Sequence, residues 1–260
     1  MKRLTAIIAA LAMSLSVAAT ARADDLANIL STGVVRIGVP VDVPPFGSQD
    51  ADRNPVGLDV ELAEMIAKAL GVKLELQQIT GANRIPYLLT NKIDIVIAAL
   101  GMTPERAKQI TYTSPYADTY DAVYGSKSAQ VTSAAELGQL KVVVTKGTTQ
   151  DIELSGMNAD ANFMRTEDDA TAATAYLSGQ ADLIATNSLV VRELLKQNAG
   201  KEFDRKFVLA RGPAHIGVRM GEQNLCNWIN VFLYSAVMSG DLDKLTMKYL
   251  GYHYEPLPAL

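Results

Sequence analysis

The chain is poor in the residues that build metal centres and disulfide scaffolds. Its 260 residues include one cysteine, Cys226, and two histidines, His215 and His253. One thiol cannot make a disulfide framework, so the core must supply the stability. Cys226 lies in LCNWINVFLY, an apolar helical pattern, and reads as a buried core thiol. The histidines are far apart, and no ligand-spaced cysteine or acid cluster accompanies them. No metal site and no cofactor are expected, and no Ser-His-acid or Cys-His arrangement stands out. An excess of basic charge is also missing: 24 Lys and Arg stand against 28 Asp and Glu. That balance argues against nucleic acid or an anionic membrane as partner. Beyond the first two dozen residues, no run approaches the ~20 apolar residues of a membrane span. There is no tandem repeat and no low-complexity linker.

The chain opens MKRLTAIIAALAMSLSVAATARADD. Lys2 and Arg3 form a charged start, an apolar stretch follows, and Ala21-Arg22-Ala23 is a small-x-small site before Asp24. This is the pattern of a secretory signal peptide cut after Ala23. The alternative is a membrane anchor, but Ser14 and Ser16 interrupt the apolar stretch, and Thr20 and Arg22 end it early. Without residues 1–23 the chain has 237 residues. Three of its 24 cations leave with that segment and all 28 acids stay, for a formal charge of −7. No cysteine follows the apolar stretch to carry a lipid. Export without an anchor places the protein in the periplasm of a double-membraned bacterium.

Strand and helix patterns alternate. Val34–Val39 reads as a strand. DVELAEMIAKAL, residues 59–70, is helical, with Leu62, Met65, Ile66, Ala69 and Leu70 on one face and Gly71 as the stop. Lys73–Ile79 and Ile93–Ala99 read as strands, and Arg84–Leu89 as a short helix. A second alternating block starts near Tyr120. Ser133-Ala-Ala-Glu136 has the capping-box spacing. The strand Lys141–Thr145, helices from about Thr149 and Thr166, the strand Asp182–Ala185 and a helix through Val190–Lys196 follow. Phe207–Ala210 and His215–Met220 are strand-like, and Leu225–Leu250 is amphipathic. This order predicts an α/β fold with parallel sheets covered by helices. Two blocks without a flexible linker predict two lobes. The last block is too small for a domain and is expected to pack back on the first. The expected division is 24–116 plus 211–260 for the first lobe and 117–210 for the second, with two crossing strands as a hinge.

Two stretches carry chemistry. In TPER, Thr103 suits an N-cap and Pro104 the first helical position, which puts Arg106 in the first turn. The helix dipole disfavours a cation there. The preceding strand ends in Ala99 and Gly101, and ligands of open α/β sheets bind beyond the carboxyl ends of strands. Arg106 is therefore either a fork for a carboxylate or an ordinary surface arginine paired with an acid. VVVTKGTTQD, residues 142–151, has the strand, glycine turn and hydroxyl pair that begin a phosphate loop. The glycine a P-loop needs before the lysine is absent, and the order is Lys-Gly rather than Gly-Lys. What remains is a general anion site at a helix start, or simple capping by Thr148 or Thr149.

GLDVELAEMIAKAL, residues 57–70, resembles the signature of bacterial extracellular solute-binding proteins that capture polar amino acids for ABC importers. VRIGVPVDVPPFG, KIDIVIAALGMTPERAKQITYTSPY and KVVVTKGTTQDIEL resemble the same family, in the same order. The resemblance covers essentially the whole exported chain. It implies a periplasmic binding protein-like type II fold, two α/β lobes on a two-strand hinge with the ligand cleft between them. It implies a small-molecule ligand, an amino acid or derivative, and an ABC membrane permease as partner, with the binding protein acting as a monomer. By resemblance Arg106 binds the ligand carboxylate. Ala99, Leu100 and Gly101 hold the ligand from the first lobe, and Thr145, Thr148 and Thr149 with their loop amides from the second. Asp59 and Glu61 read as structural.

Three departures from the family pattern stand out. Asn187 stands where many relatives carry an Asp for the ligand ammonium; its carbonyl can accept a hydrogen bond but has no charge. Val43 stands where many place a stacking aromatic. Ala98, Ala99 and Gly101 replace hydroxyl residues. Asp42, beside Val43, is either a replacement charge for the ammonium or a turn residue before Pro44-Pro45. The alternatives to a transport protein are an enzyme of the cyclohexadienyl dehydratase type and a soluble sensor that presents its ligand to a membrane protein. Only Asp42 among the expected cleft residues offers a general acid or base, so no catalysis is expected.

Overall fold

The run IVIAAL is buried on both faces. Ile95 and Ile97 pack into one apolar cluster, and Val96, Ala98 and Leu100 into another. Residues of alternating direction can do this only in a strand with cover on each side. VVV at 142–144 repeats the arrangement: Val143 faces one cluster, Val142 and Val144 the other.

The computed structural model describes residues 24–257. Residues 1–23, where the export signal and its cleavage site were expected, lie outside the described residues. The first lobe begins with α1 (Asp25–Thr32) and β1 (Val34–Val39). The short strands β2 (Ser48–Gln49) and β3 (Pro55–Val56) pair with each other. Then come α2 (Leu58–Leu70), β4 (Lys73–Gln78), α3 (Arg84–Leu89), β5 (Ile95–Leu100), α4 (Pro104–Ala107) and β6 (Ile110–Ala117). The second lobe runs β7 (Tyr120–Gly125), a 3₁₀ turn at Ala134–Glu136, β8 (Val142–Thr145) and α5 (Thr149–Met157). It continues with β9 (Phe163–Thr166), α6 (Asp169–Leu177), β10 (Leu183–Asn187), α7 (Ser188–Gln197) and β11 (Asp204–Arg211). β12 (Ala214–Arg219), α8 (Gln223–Met238) and α9 (Asp241–Leu250) return to the first lobe.

The sheet orders are β4-β1-β5-β12-β6 and β11-β7-β10-β8-β9. Each has a parallel trio and an antiparallel pair. β1 runs parallel to β4 and β5, and β8 to β9 and β10. β12 is antiparallel to β5 and β6, and β7 to β10 and β11. The chain passes between the sheets at residues 118–119 and 212–213. At the first crossing, Tyr252 clasps Asp118, its hydroxyl accepting from the Asp118 N–H at 2.9 Å and donating to its carbonyl at 2.8 Å. The carboxyl ends of both parallel trios face the space between the lobes, where Ile79, Ala99, Thr148 and Asn187 meet around one cavity.

α2 ends at Gly71, left-handed at φ 71°, as its sequence requires. Leu62, Ile66 and Leu70 of the expected face are buried, while Met65 is half-buried and Ala69 exposed. Cys226 is buried and its Sγ faces the carbonyl of Tyr112. Three of the differences from expectation have a clear local cause. The helix expected from Thr166 starts at Asp169, because Thr166 ends β9 and Asp168 caps α6 by accepting from Thr171 N. Leu225–Leu250 lies across two helices, broken where Gly240 turns left-handed at φ 74°. In the expected capping box, Ser133 makes no cap bond, and Glu136 instead accepts from the N–H and hydroxyl of Thr132.

Candidate functional site

Two arginines enter the space between the lobes, each in the first turn of a short helix that follows a parallel strand. Arg106 is in α4, where Thr103 caps the helix by accepting from Arg106 N at 3.2 Å. Its guanidinium spans the lobes. Nη1 donates to Gly101 O at 2.6 Å and to Thr149 Oγ1 at 3.0 Å, and Nη2 to Gly147 O at 2.8 Å. Arg84 opens α3, and its Nη1 donates to Ala98 O at 2.9 Å. Burial lowers the Arg84 pKa to about 9, with repulsion from Arg106 adding to the effect, so it stays cationic at neutral pH.

The end of β5 is held in an unusual backbone state. Ala99 has φ +43°, a left-handed value that a residue with a Cβ rarely adopts. Its N–H donates to Asp59 Oδ2 and to the Tyr116 hydroxyl, each at 3.0 Å, and Tyr116 in turn donates to Asp59 Oδ1 at 2.7 Å. Asp59 thus fixes the strand end that faces the cleft. Burial raises its pKa to about 7. At Gly101 an added Cβ would stand 2.5 Å from Thr149 Oγ1, so glycine lets the lobes meet here without displacing that hydroxyl.

The second lobe supplies hydroxyls and acids. Thr148 caps α5, accepting from Asp151 N at 3.3 Å and donating to Thr145 O at 2.7 Å. Thr145 donates to Asp169 Oδ1 at 3.0 Å. Asn187 caps α7: its Oδ1 accepts from Leu189 N at 2.9 Å and from Thr119 Oγ1 at 2.8 Å. That carbonyl oxygen, expected to be free for a ligand, is therefore engaged within the protein. Its Nδ2 faces Asp121 Oδ1 at 3.3 Å, because Asn187 and Asp121 are directly paired across β10 and β7. Gln150 Nε2 also donates to Asp121 Oδ1, at 2.8 Å. Burial pushes Asp121 up to about 6. Burial, reinforced by the Asp42 charge, pushes Asp169 up to about 7.

Asp42, expected as a replacement charge or a turn residue, lies in a bend and makes a contact between the lobes. It reaches across the cleft, and its Oδ2 accepts from Asp169 N at 2.8 Å, so a first-lobe carboxylate sits on the N-terminus of the second lobe's α6. Burial raises its pKa, while the α6 amides pull it back down. A helix N-terminus stabilises an anion through its unpaired N–H groups and dipole. The contacts of Asp42 and Arg106 describe lobes closed on each other. They enclose a cavity of about 40 Å³, where ~10–15 Å³ is enough for one water.

Of the residues expected to bind a ligand, Val43, Ala99, Thr148, Thr149 and Asn187 line this cavity. Asp42, Leu100, Gly101, Arg106 and Thr145 stand outside its lining. Leu100 is buried in the core, and Thr145 reaches the cavity only through Asp169. The three charged lining residues were not foreseen: Arg84, Asp121 and Asp169. The expectation that Asp42 is the only acid of the cleft is thereby corrected. Arg84 carried a readable signal, the same first-turn cation after a strand that singled out Arg106. Asp121 carried none, since its pairing with Asn187 appears only when the sheet forms. Among the described residues, no group of three or more His, Cys, Asp or Glu is placed to hold a metal ion. No described helix is long and apolar enough to cross a membrane.

A cleft between two α/β lobes, with charged groups meeting across it, is the arrangement of a clamp for a small solute. Residues 35–252 match the model of the bacterial extracellular solute-binding proteins, family 3. The chain belongs to that family. It is 28% identical over 232 residues to the ABC transporter glutamine-binding protein GlnH of Bacillus subtilis (strain 168), an alignment covering 87% of this chain and 85% of the relative. The cysteine-binding protein of Campylobacter jejuni superposes with a TM-score of 0.82 at 27% identity, covering 89% of this chain and 95% of that one. The ancestral amino acid-binding protein AncCDT-1, a precursor of cyclohexadienyl dehydratase, superposes at 0.78 with 31% identity, over 86% of this chain and 98% of that one. This solute-binding protein shares with such structures the type II fold of two lobes.

Proposed function

We propose that this protein captures an amino acid or a close derivative between its lobes and delivers it to the permease of an ABC importer. The observation that carries the reading is the separation of charge across the cleft. The first lobe brings two buried guanidinium groups, Arg84 and Arg106, and the second brings the half-buried carboxyl of Asp121. A zwitterion complements this separation, with its carboxylate toward Arg106 and its ammonium toward Asp121. The negative charge that Asn187 lacks stands on the neighbouring strand, held by Asn187 itself. The carboxylate is assigned to Arg106 with Thr149 and the amides of its loop, so that binding replaces some of the closing contacts with contacts to the ligand. A ligand that touches both lobes favours the closed state because the open state lacks one half of those contacts. Relatives named for glutamine, arginine, histidine and cystine support the amino-acid class. Export with cleavage after Ala23, a periplasmic location and action as a monomer complete the proposal. Calorimetry of the purified protein against a panel of amino acids and derivatives tests it. At least one tight binder is expected; a panel without binders and no co-purifying ligand would overturn it.

A second reading, catalysis, has one observation in its favour. Asp121 and Asp169 are raised to about 6 and about 7, the range in which a carboxyl serves as a general acid. We favour binding, because the neighbour AncCDT-1 that is related by name to a dehydratase is itself described as amino acid-binding. Incubation with prephenate or arogenate is expected to yield no product; turnover would reverse the choice. A role in presenting ligand to a membrane sensor uses the same clamp, and neighbouring permease and ATPase genes distinguish transport from it.

A further inference from the structure

Arg84 is treated differently from Arg219, another of the three buried arginines of the first lobe. Arg219, 8% exposed, is paired with Asp25 and Asp94 and donates to the carbonyls of Leu88 and Ile93. Arg84, 6% exposed, makes one side-chain hydrogen bond, to Ala98 O. Its Nε is buried without a partner, and no carboxylate lies within 4.0 Å of its guanidinium among the described residues. A buried charge is costly unless it is paired. The acids that face it are committed elsewhere. Asp169 is bonded to Thr145 and stands beside Asp42, which sits on the α6 amides. Asp121 is bonded to Gln150 and Asn187 and is the ammonium pole of the reading above. Yet Arg84 lines the cavity directly. Its position is that of a receptor whose counter-ion arrives with the ligand.

We infer that the ligand carries a second acidic group, and that Arg84 receives it. The inference rests on the amino-acid reading and names the substrate class within it: an amino acid with an acidic side chain. Two guanidinium groups enter the same cleft, and one α-carboxylate can serve as the bidentate partner of only one of them. Arg106 is anchored to Gly101, Gly147 and Thr149, where both lobes contribute, which suits the group common to all amino acids. Arg84 lies to one side, held by a single carbonyl, which suits the group that varies. A neutral amide in place of the second carboxylate would leave the Arg84 charge buried and unpaired. Discrimination between acid and amide should therefore be strong, as it is wherever a buried polar group loses its partner.

The test is calorimetry of the full exported chain with L-glutamate and L-aspartate, their isosteric amides L-glutamine and L-asparagine, and L-arginine and L-lysine. At least one acid should bind a hundredfold or more tighter than its amide. In Arg84→Gln that preference should collapse, with acid affinity down at least a hundredfold. The inference is overturned if an amide binds as tightly as its acid, or if a cationic amino acid binds more tightly than either acid. It is also overturned if Arg84→Gln weakens acid and amide alike, since Arg84 would then serve the α-carboxylate. Should the variant fail to fold, the acid–amide comparison on the unaltered protein decides by itself. Binding of neutral amino acids without the acids would remove this inference and leave the amino-acid reading standing. Binding of no amino acid would remove both.

Discussion

Replacing Asp121 with Asn should make the protein more stable and worse at binding. Asp121 is half-buried, and its hydrogen-bond partners, Gln150 and Asn187, are neutral. Burial places its pKa at about 6 in the folded chain, against ~3.9 for an unfolded Asp. Below about pH 4 both forms are protonated and the group costs nothing. Between about 4 and 6 only the unfolded chain ionises freely, so stability falls as pH rises, and the loss is complete above the folded value. The difference amounts to about 3 kcal/mol at pH 7. Asp121→Asn keeps an acceptor oxygen for Gln150 and Asn187 and removes the charge. Denaturant unfolding of the unliganded variant at pH 7 should show a gain of about 1–3 kcal/mol. Binding should move the other way, because the charge partner of the ligand ammonium is gone. Losing one member of a buried charge pair costs about 2–5 kcal/mol, roughly 30- to 5,000-fold in Kd. An Asp121→Asn variant that binds within threefold of the parent, or that is less stable without ligand, would refute the assignment.

Arg106→Ala should weaken binding by more than tenfold, about 1.4 kcal/mol, in the same calorimetric assay; a smaller effect would remove the carboxylate role. Gly101→Ala should leave each lobe folded but hold them apart, since the new Cβ would stand 2.5 Å from Thr149 Oγ1. Its affinity should fall about tenfold or more, with a larger radius of gyration in small-angle scattering of the liganded protein. Affinity should also fall with acidification. With Asp121 titrating at about 6, the ionised form that meets the ammonium is about a tenth of the population at pH 5, giving about a tenfold weaker Kd than at pH 7. Asp121→Asn should abolish most of that dependence, and Asp169 should account for the remainder.

The helices and parallel strands were legible because their signals are local. α2 announces itself by its 3.6-residue apolar spacing and Gly71, and α4 by Thr103-Pro104. β6 and β7 were not read as strands. β6 includes Pro115, and only two residues separate it from β7, so the two look like one irregular segment until each joins a different sheet. The cleft was legible where chemistry repeats along the sequence, as in the TPER and KGTT turns. It was not legible where a residue gains meaning from a partner far away. Asp121 meets Asn187 across 66 positions, and Asp42 reaches α6 across 127. Asp169 follows Asp168 at a helix start, and nothing in the sequence says that one caps the helix while the other enters the cavity.

The central claim is that a zwitterion lies between the lobes with its two ends told apart by charge. A crystal structure of the protein with its tightest-binding amino acid tests this most directly. The account predicts the α-carboxylate on Arg106 and the Thr149 loop, and the ammonium at about 2.7–3.2 Å from an Asp121 oxygen. A ligand bound outside this cleft, or one lying in it with its ammonium away from Asp121 and its carboxylate away from Arg106, would contradict it.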